Sequence, residues 1–175
     1  STGKLLADHK HLDLGGFVLY RRGQQVLADC GRVDYTRSEL SEYGRSAQSH
    51  NTVFIDGLAP VPDAKSWYAR RYCVVDVQTE RSSTQSHEFF SVLHSGFSRI
   101  VDAQISHKRQ FVLSDDSVEI IDYIHGEHDA EVVLRFHFGR NTTVKQMGEN
   151  SWGLGAVRGM MQTDSRLKSE LINGR

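Results

Sequence analysis

Three short segments of the chain concentrate side chains that bind protons or metal ions. The first is His9-Lys10-His11-Leu12-Asp13, followed by Gly15-Gly16. In an extended strand side chains alternate between faces, so His9, His11 and Asp13 would project to one side. The second segment is Asp29-Cys30-Gly31, where a strand signal ends, and the third is Ser49-His50-Asn51-Thr52. Two histidines and a carboxylate drawn from three separate segments suit zinc, which takes imidazole nitrogen and carboxylate oxygen in tetrahedral sites. His-x-His by itself is a weak signal, because nine histidines in 175 residues give some close spacings by chance. A cupin-like metal sandwich also uses His-x-His, but no third ligand follows here at a short spacing.

The elements that must position these groups read as strands. Phe17-Val18-Leu19-Tyr20 and Gln25-Val26-Leu27-Ala28 flank Arg21-Arg22-Gly23-Gln24, a hairpin turn with glycine available for positive φ. Thr52-Val53-Phe54-Ile55 ends at the turn pair Asp56-Gly57. Residues 71–79, 117–124 and 131–138 alternate apolar and polar side chains over much of their length. Arg109-Gln110-Phe111-Val112-Leu113, then Ser114-Asp115-Asp116-Ser117 before Val118, predicts a second hairpin. Helix signals are thin. Residues 37–48 could hold a turn or two, but Gly44 and the serines argue for a long loop, and residues 165–171 read as a short helix or a frayed end. The expectation is an all-β chain, an antiparallel two-sheet β-sandwich.

Composition narrows the classes. A chain of 175 residues with 38% hydrophobic and 25% charged residues is one ordinary globular domain, large enough for a core of its own. A net charge of −1 gives no global field, which argues against nucleic-acid binding by bulk electrostatics. No apolar run approaches the roughly 20 residues that span a bilayer, so no membrane partner is expected. Cys30 and Cys73 permit one disulfide without demanding it. Ser1-Thr2-Gly3 lacks the charged and apolar regions of a signal peptide and reads as an internal cut or cloning scar.

The run His9-x-His11-x-Asp13-x-Gly15-Gly16-Phe17-x-Leu19-Tyr20, then Asp29-x-Gly31, then Ser49-His50-Asn51-Thr52-Val53-x-x-Asp56-Gly57, resembles the heparinase II/III-like family. His94-Ser95-Gly96-Phe97-Ser98-Arg99, His107-Lys108-Arg109 and Asp122-Tyr123-Ile124-x-Gly126 continue that family's order and spacing. The resemblance runs from His9 to about Phe138 and fades after Gly139, leaving 139–175 less certain. It implies the C-terminal β-sandwich of a larger enzyme, truncated from a helical toroid that would precede it, with a glycan cleft between the two. It also implies cleavage of an acidic, uronic-acid polysaccharide by β-elimination, in the periplasm or outside the cell. By the same resemblance His9 is the histidine facing the cleft, and His11, Asp29 and His50 are ligands of a structural metal ion, usually zinc. Cys30 departs from the family, which usually has proline there, and places a thiol beside a metal-binding carboxylate.

β-Elimination explains these residue types. The carboxylate beside the abstracted proton must be neutralised so that the developing dianion is stabilised. A base that titrates near neutrality removes the proton, and a tyrosine hydroxyl can protonate the leaving oxygen. Tyr35 and Tyr43 lie between Asp29 and His50, in the segment that the resemblance puts at the cleft, and either could serve. Catalytic partners expected on the toroid, an asparagine or histidine and a tyrosine, have no counterpart here, so this chain alone is expected to be inactive. The competing reading is a non-catalytic carbohydrate-binding or structural β-sandwich. Arg21-Arg22, Arg70-Arg71 and Lys108-Arg109 could meet carboxylate or sulfate, but a solvated surface explains them as well. His107 and His137 alternate with apolar neighbours, as satisfied core histidines do.

Overall fold

A computed structural model describes residues 2–6, 12–31, 38–62, 74–98, 105–127, 129–140, 142–148, 151–154 and 157–160. The chain is all-β and antiparallel, as its alternation predicts, and divides into two compact units. Among the described residues no helix is long and apolar enough to cross a membrane.

The larger unit comprises residues 1–17 and 29–137. Its main sheet has the order β1-β5-β6-β7-β8, with β1 at Thr2–Leu6, β5 at Val74–Ser83, β6 at Glu88–His94, β7 at Ser106–Leu113 and β8 at Val118–His125. Tight turns set the registers. Ser114 and Ser117 close the β7–β8 turn, where the Ser117 N–H donates to Ser114 Oγ at 3.2 Å. From that turn the pairing runs outward as Leu113↔Val118, Phe111↔Ile120, Arg109↔Asp122 and His107↔Ile124. The same face of β6 presents Phe90, Val92 and His94, opposite Phe111, Arg109 and His107. One sheet face therefore carries an aromatic end and a polar end.

A second antiparallel pair in this unit joins β4 (Val53–Ile55) to β9 (Val132–Leu134). All three residues of β4 are buried, which accounts for a strand that is apolar without alternation. Val53 and Ile55 pack with Phe97, Ile105, Val132 and Leu134, whereas Phe54 packs with Leu12, Leu14, Ala47, Val61 and Val75. Asp56 (φ 49°) and Gly57 (φ 71°) turn the chain after β4, as the Asp-Gly pair predicts.

The smaller unit, residues 18–28 and 138–175, holds two antiparallel pieces. In the first, β2 (Leu19–Arg21) pairs with β3 (Gln24–Leu27) around Arg22 (φ 49°) and Gly23 (φ 78°), the expected hairpin with both central residues left-handed. In the second, β10 (Val144–Gly148), β11 (Ser151–Leu154) and β12 (Val157–Met160) form a meander.

Two local expectations are corrected. Residues 37–48 are not simply a loop: helix α1 spans Glu39–Arg45 and a 3-10 turn follows at Ala47–Ser49. The serines that argue for a loop in the sequence are its caps. Ser38 Oγ accepts from the Ser41 N–H at 3.1 Å, Ser46 Oγ donates to the Tyr43 carbonyl at 2.7 Å, and Ser49 Oγ donates to the Gly44 carbonyl at 3.1 Å. The segment carrying Asp13 is a turn rather than a strand where it is described. The Gly16 N–H donates to the Asp13 carbonyl at 3.0 Å and Gly15 sits at φ 72°. The proposed helix at 165–171 lies outside the described residues, as does Cys73.

Candidate metal centre and its buried support

The polar part of the larger unit is built around the segment Ser49-His50-Asn51-Thr52, which is essentially inaccessible to solvent. Each side chain there has a task. Ser49 caps α1. Asn51 Nδ2 donates to the Phe17 carbonyl at 2.7 Å, and its Oδ1 accepts from the His137 N–H at 2.6 Å. Thr52 Oγ1 donates to the Leu14 carbonyl at 3.0 Å. These bonds join the segment to the turn at 13–17 and to the strand exit at 135–137.

His50 faces two carboxylates. Its Nδ1 is 2.7 Å from Asp29 Oδ2 and 3.9 Å from Asp13 Oδ2. The imidazole is fully buried, while the Asp13 and Asp29 side chains are about one-fifth exposed, at 22% and 20%. The group thus has a closed floor and a partly open rim. Asp29 is held by its own turn, because Oδ1 accepts from the Gly31 N–H at 2.7 Å while Gly31 sits at φ 59°. Asp13 folds back over Gly16, where an added Cβ would collide with its carboxylate. The Gly15-Gly16 pair is thereby explained, with one residue for the turn and the other for the carboxylate.

Among the described residues these three form a group able to hold a metal ion, with ligand atoms within 4.8 Å of one another. One imidazole and two carboxylates suit a divalent ion, and the nitrogen donor favours zinc-like metals over magnesium or calcium. The donor set fits the zinc that the resemblance implies. Of the expected ligands Asp29 and His50 are brought together, and His11 lies outside the described residues. Asp13 joins them. It was visible as a member of the His-x-His-x-Asp run, but a turn, not shared strand alternation, delivers it. His9 and Tyr35 also lie outside the described residues. Tyr43 is on α1 with 43% of its surface exposed, and Cys30 is exposed beside Asp29.

Behind this group lies a network that reading the basic pairs as solvated surface misses. Lys108 is at the surface, within 3.6 Å of Glu80, but Arg109 is completely buried. Arg109 Nε and Nη2 donate to the two oxygens of Asp122 at 2.7 and 3.1 Å, and Nη1 donates to the carbonyls of Gly15 (3.0 Å) and Asn51 (2.7 Å). Its guanidinium carbon lies 5.3 Å from the ring centre of Phe17 and 5.9 Å from that of Phe136. Asp122 Oδ1 is also 2.7 Å from His107 Nε2, and His107 Nδ1 is 2.9 Å from His94 Nε2. The Gly96 N–H donates to His94 Nδ1 at 3.2 Å. Hydrogen-bond direction then assigns the tautomers: His94 donates from Nε2 to His107 Nδ1, and His107 donates from Nε2 to Asp122. The sequence held a signal for this network, since the Ser114-to-Ser117 turn counts back to an Arg109–Asp122 pair.

Burial, with the Arg109 charge adding to it, pushes His94 down from 6.5 to about 3. Burial alone would raise the Asp122 carboxyl. Hydrogen bonds from His107 and Arg109, with the Arg109 charge, overcome that and hold it below its usual 3.8. His137 is lowered chiefly by burial, against a raising contribution from the Gln48 carbonyl that its Nε2–H meets at 3.0 Å.

The sequence model of one family, heparinase II/III-like, C-terminal, matches residues 1–169. No curated protein and no solved structure gives a significant match.

These ionisation states make stability depend on pH in one direction. Below 6.5 the unfolded chain protonates His94, but the folded chain resists until about 3. The folded state therefore loses stability as pH falls through that window, by at most about 1.4 kcal/mol per pH unit for this group. Asp122 acts in the same sense below 3.8, because the unfolded carboxylate takes up its proton first. Denaturant unfolding of wild type beside His94→Gln should give a shallower loss with acid in the variant. Identical slopes would show that His94 takes up its proton at the same pH in the folded and unfolded chain.

Proposed function

Because the chain belongs to the heparinase II/III-like family of polysaccharide lyases, we propose that it is the sandwich half of a lyase that cleaves uronic-acid glycans by β-elimination. The observation that carries this reading is the convergence of Asp13, Asp29 and His50 from three segments, all within the residues that the family model covers. In this reading Asp29 and His50 hold a divalent ion, zinc. Asp13 completes the described set, and His11 is the ligand the resemblance adds. The ion supplies charge that ties three loop segments together. Everything else is the work of side chains. His9 faces the glycan, and Tyr35 or Tyr43 moves a proton at the reacting centre, taking it from the carbon beside the uronate carboxylate or giving it to the leaving oxygen. An N-terminal helical toroid closes the cleft and supplies the remaining catalytic groups. The substrate class assigns the enzyme to the periplasm or cell exterior.

A carbohydrate-binding module would ask for an aromatic platform in a groove. The shallow depression across β5, β6 and β7 is lined by Glu80, Ser82, Phe89, Phe90, Ser91, Lys108 and Gln110, and the Lys108–Glu80 ion pair (3.6 Å) lies among them. That mixture favours the lyase reading.

Elemental analysis of protein purified without chelator should find zinc in wild type and little in His50→Ala; metal equally absent from both would retire the metal centre. In the parent enzyme with its toroid, the absorbance of the unsaturated product should rise on a uronate polymer. It should fail to rise after His9→Ala or with these 175 residues alone. Strong elimination by these residues alone would mean that the base has been misplaced.

A further inference from the structure

We propose that Arg109 is the positioning residue of the metal centre, a buried clamp that sets the spacing between the segments bearing Asp13 and His50. This rests on the metal reading above and adds to it a residue that is not a ligand. A single nitrogen, Nη1, donates to the carbonyl of Gly15, two residues after Asp13, and to that of Asn51, the residue after His50. The two segments are thus held to one atom, at 3.0 and 2.7 Å.

That atom is itself fixed. The other edge of the guanidinium is spent on both oxygens of Asp122. Asp122 is oriented by His107, His107 by His94, and His94 by the backbone of Gly96. The chain of contacts therefore runs from the end of β6, across β7 and β8, to the carbonyls beneath the site. Phe17 and Phe136 cover the guanidinium, and its complete burial keeps bulk water from substituting for a lost contact. Gly15 belongs to the device through its backbone, since the left-handed turn that presents its carbonyl to Nη1, at φ 72°, would strain any side chain. Lysine could keep the charge opposite Asp122. Its single nitrogen could not hold both carboxylate oxygens and both carbonyls.

A residue that only stabilised the fold would affect zinc through the folded population alone. A clamp also changes how well Asp13 and His50 are arranged in folded molecules, and supports of this kind change metal affinity roughly 10- to 100-fold. Zinc affinity, measured by competition with a chromophoric chelator, should fall by about that factor in Arg109→Lys. Ile105→Ala should lower the melting temperature by leaving a cavity in the apolar cluster around Val53, Ile55 and Phe97, and it should bind zinc as wild type does. Wild-type affinity in folded Arg109→Lys would overturn the proposal. So would an equal loss in Ile105→Ala, which would reduce the effect to general destabilisation. Should Arg109→Lys fail to fold, the wild-type chain carries the test: the Arg109 guanidinium hydrogens, followed by NMR, should shift when zinc is added, and unchanged signals would overturn the clamp. A wild-type chain that binds no zinc would retire the metal reading together with the clamp, an outcome distinct from zinc that binds without regard to Arg109.

Discussion

A guanidinium removed from water must have its charge balanced and its donors met, and Arg109 imposes that requirement on the middle of this chain. Asp122 balances the charge through two parallel hydrogen bonds, while main-chain carbonyls from two distant segments take Nη1. Burying such a pair is not in itself a route to stability, because desolvation offsets much of the attraction. Removing one partner is another matter, and costs about 3–5 kcal/mol by leaving a charge uncompensated. The interaction therefore acts by excluding alternatives. A slipped β7–β8 register would separate Arg109 from Asp122, and a displaced 13–17 turn or 49–52 segment would strand Nη1. Strand pairing and loop placement are tied to one side chain.

The same logic explains why polar residues crowd a part of the molecule that could have been apolar. His94 and His107 extend the Asp122 carboxylate back to the Gly96 N–H, giving every ring nitrogen of the pair a partner. Asn51 and Thr52 do the same for the carbonyls of Phe17 and Leu14. Each satisfied contact removes a way for the site-bearing loops to move. Asp13 and Asp29 remain partly open to solvent above a closed imidazole floor. Rigidity beneath and access above is the arrangement a metal centre needs.

Much of this architecture was legible before any coordinates. Asp-Gly and Arg-Gly turns and alternating runs announced β2, β3, β4, β7 and β8, because those signals depend only on neighbouring residues. Strand β6 was less visible, since Phe89-Phe90 and Val92-Leu93 put apolar groups on both faces and blur the alternation. The short strands β10, β11 and β12 offered little periodicity. Helix α1 was hidden because serine favours loops and caps equally, and only the partners of Ser38, Ser46 and Ser49 decide between them. In the site, Asp29 and His50 could be grouped from motif order. The Arg109–Asp122 pair can be counted back from the β7–β8 hairpin, but the turn at Gly15 that delivers Asp13, and the contacts of Arg109 with Gly15 and Asn51, emerge only when tertiary placement is known.

On the function proposed above, Asp13, Asp29 and His50 converge to hold a divalent ion on a rigid buried support. Anomalous diffraction at the zinc absorption edge from crystals of the zinc-loaded protein tests it most directly. The account predicts an anomalous peak within coordination distance of His50 and Asp29, with the Asp13 carboxylate beside it. Zinc bound elsewhere, or no peak at these side chains in a zinc-saturated crystal, would contradict it.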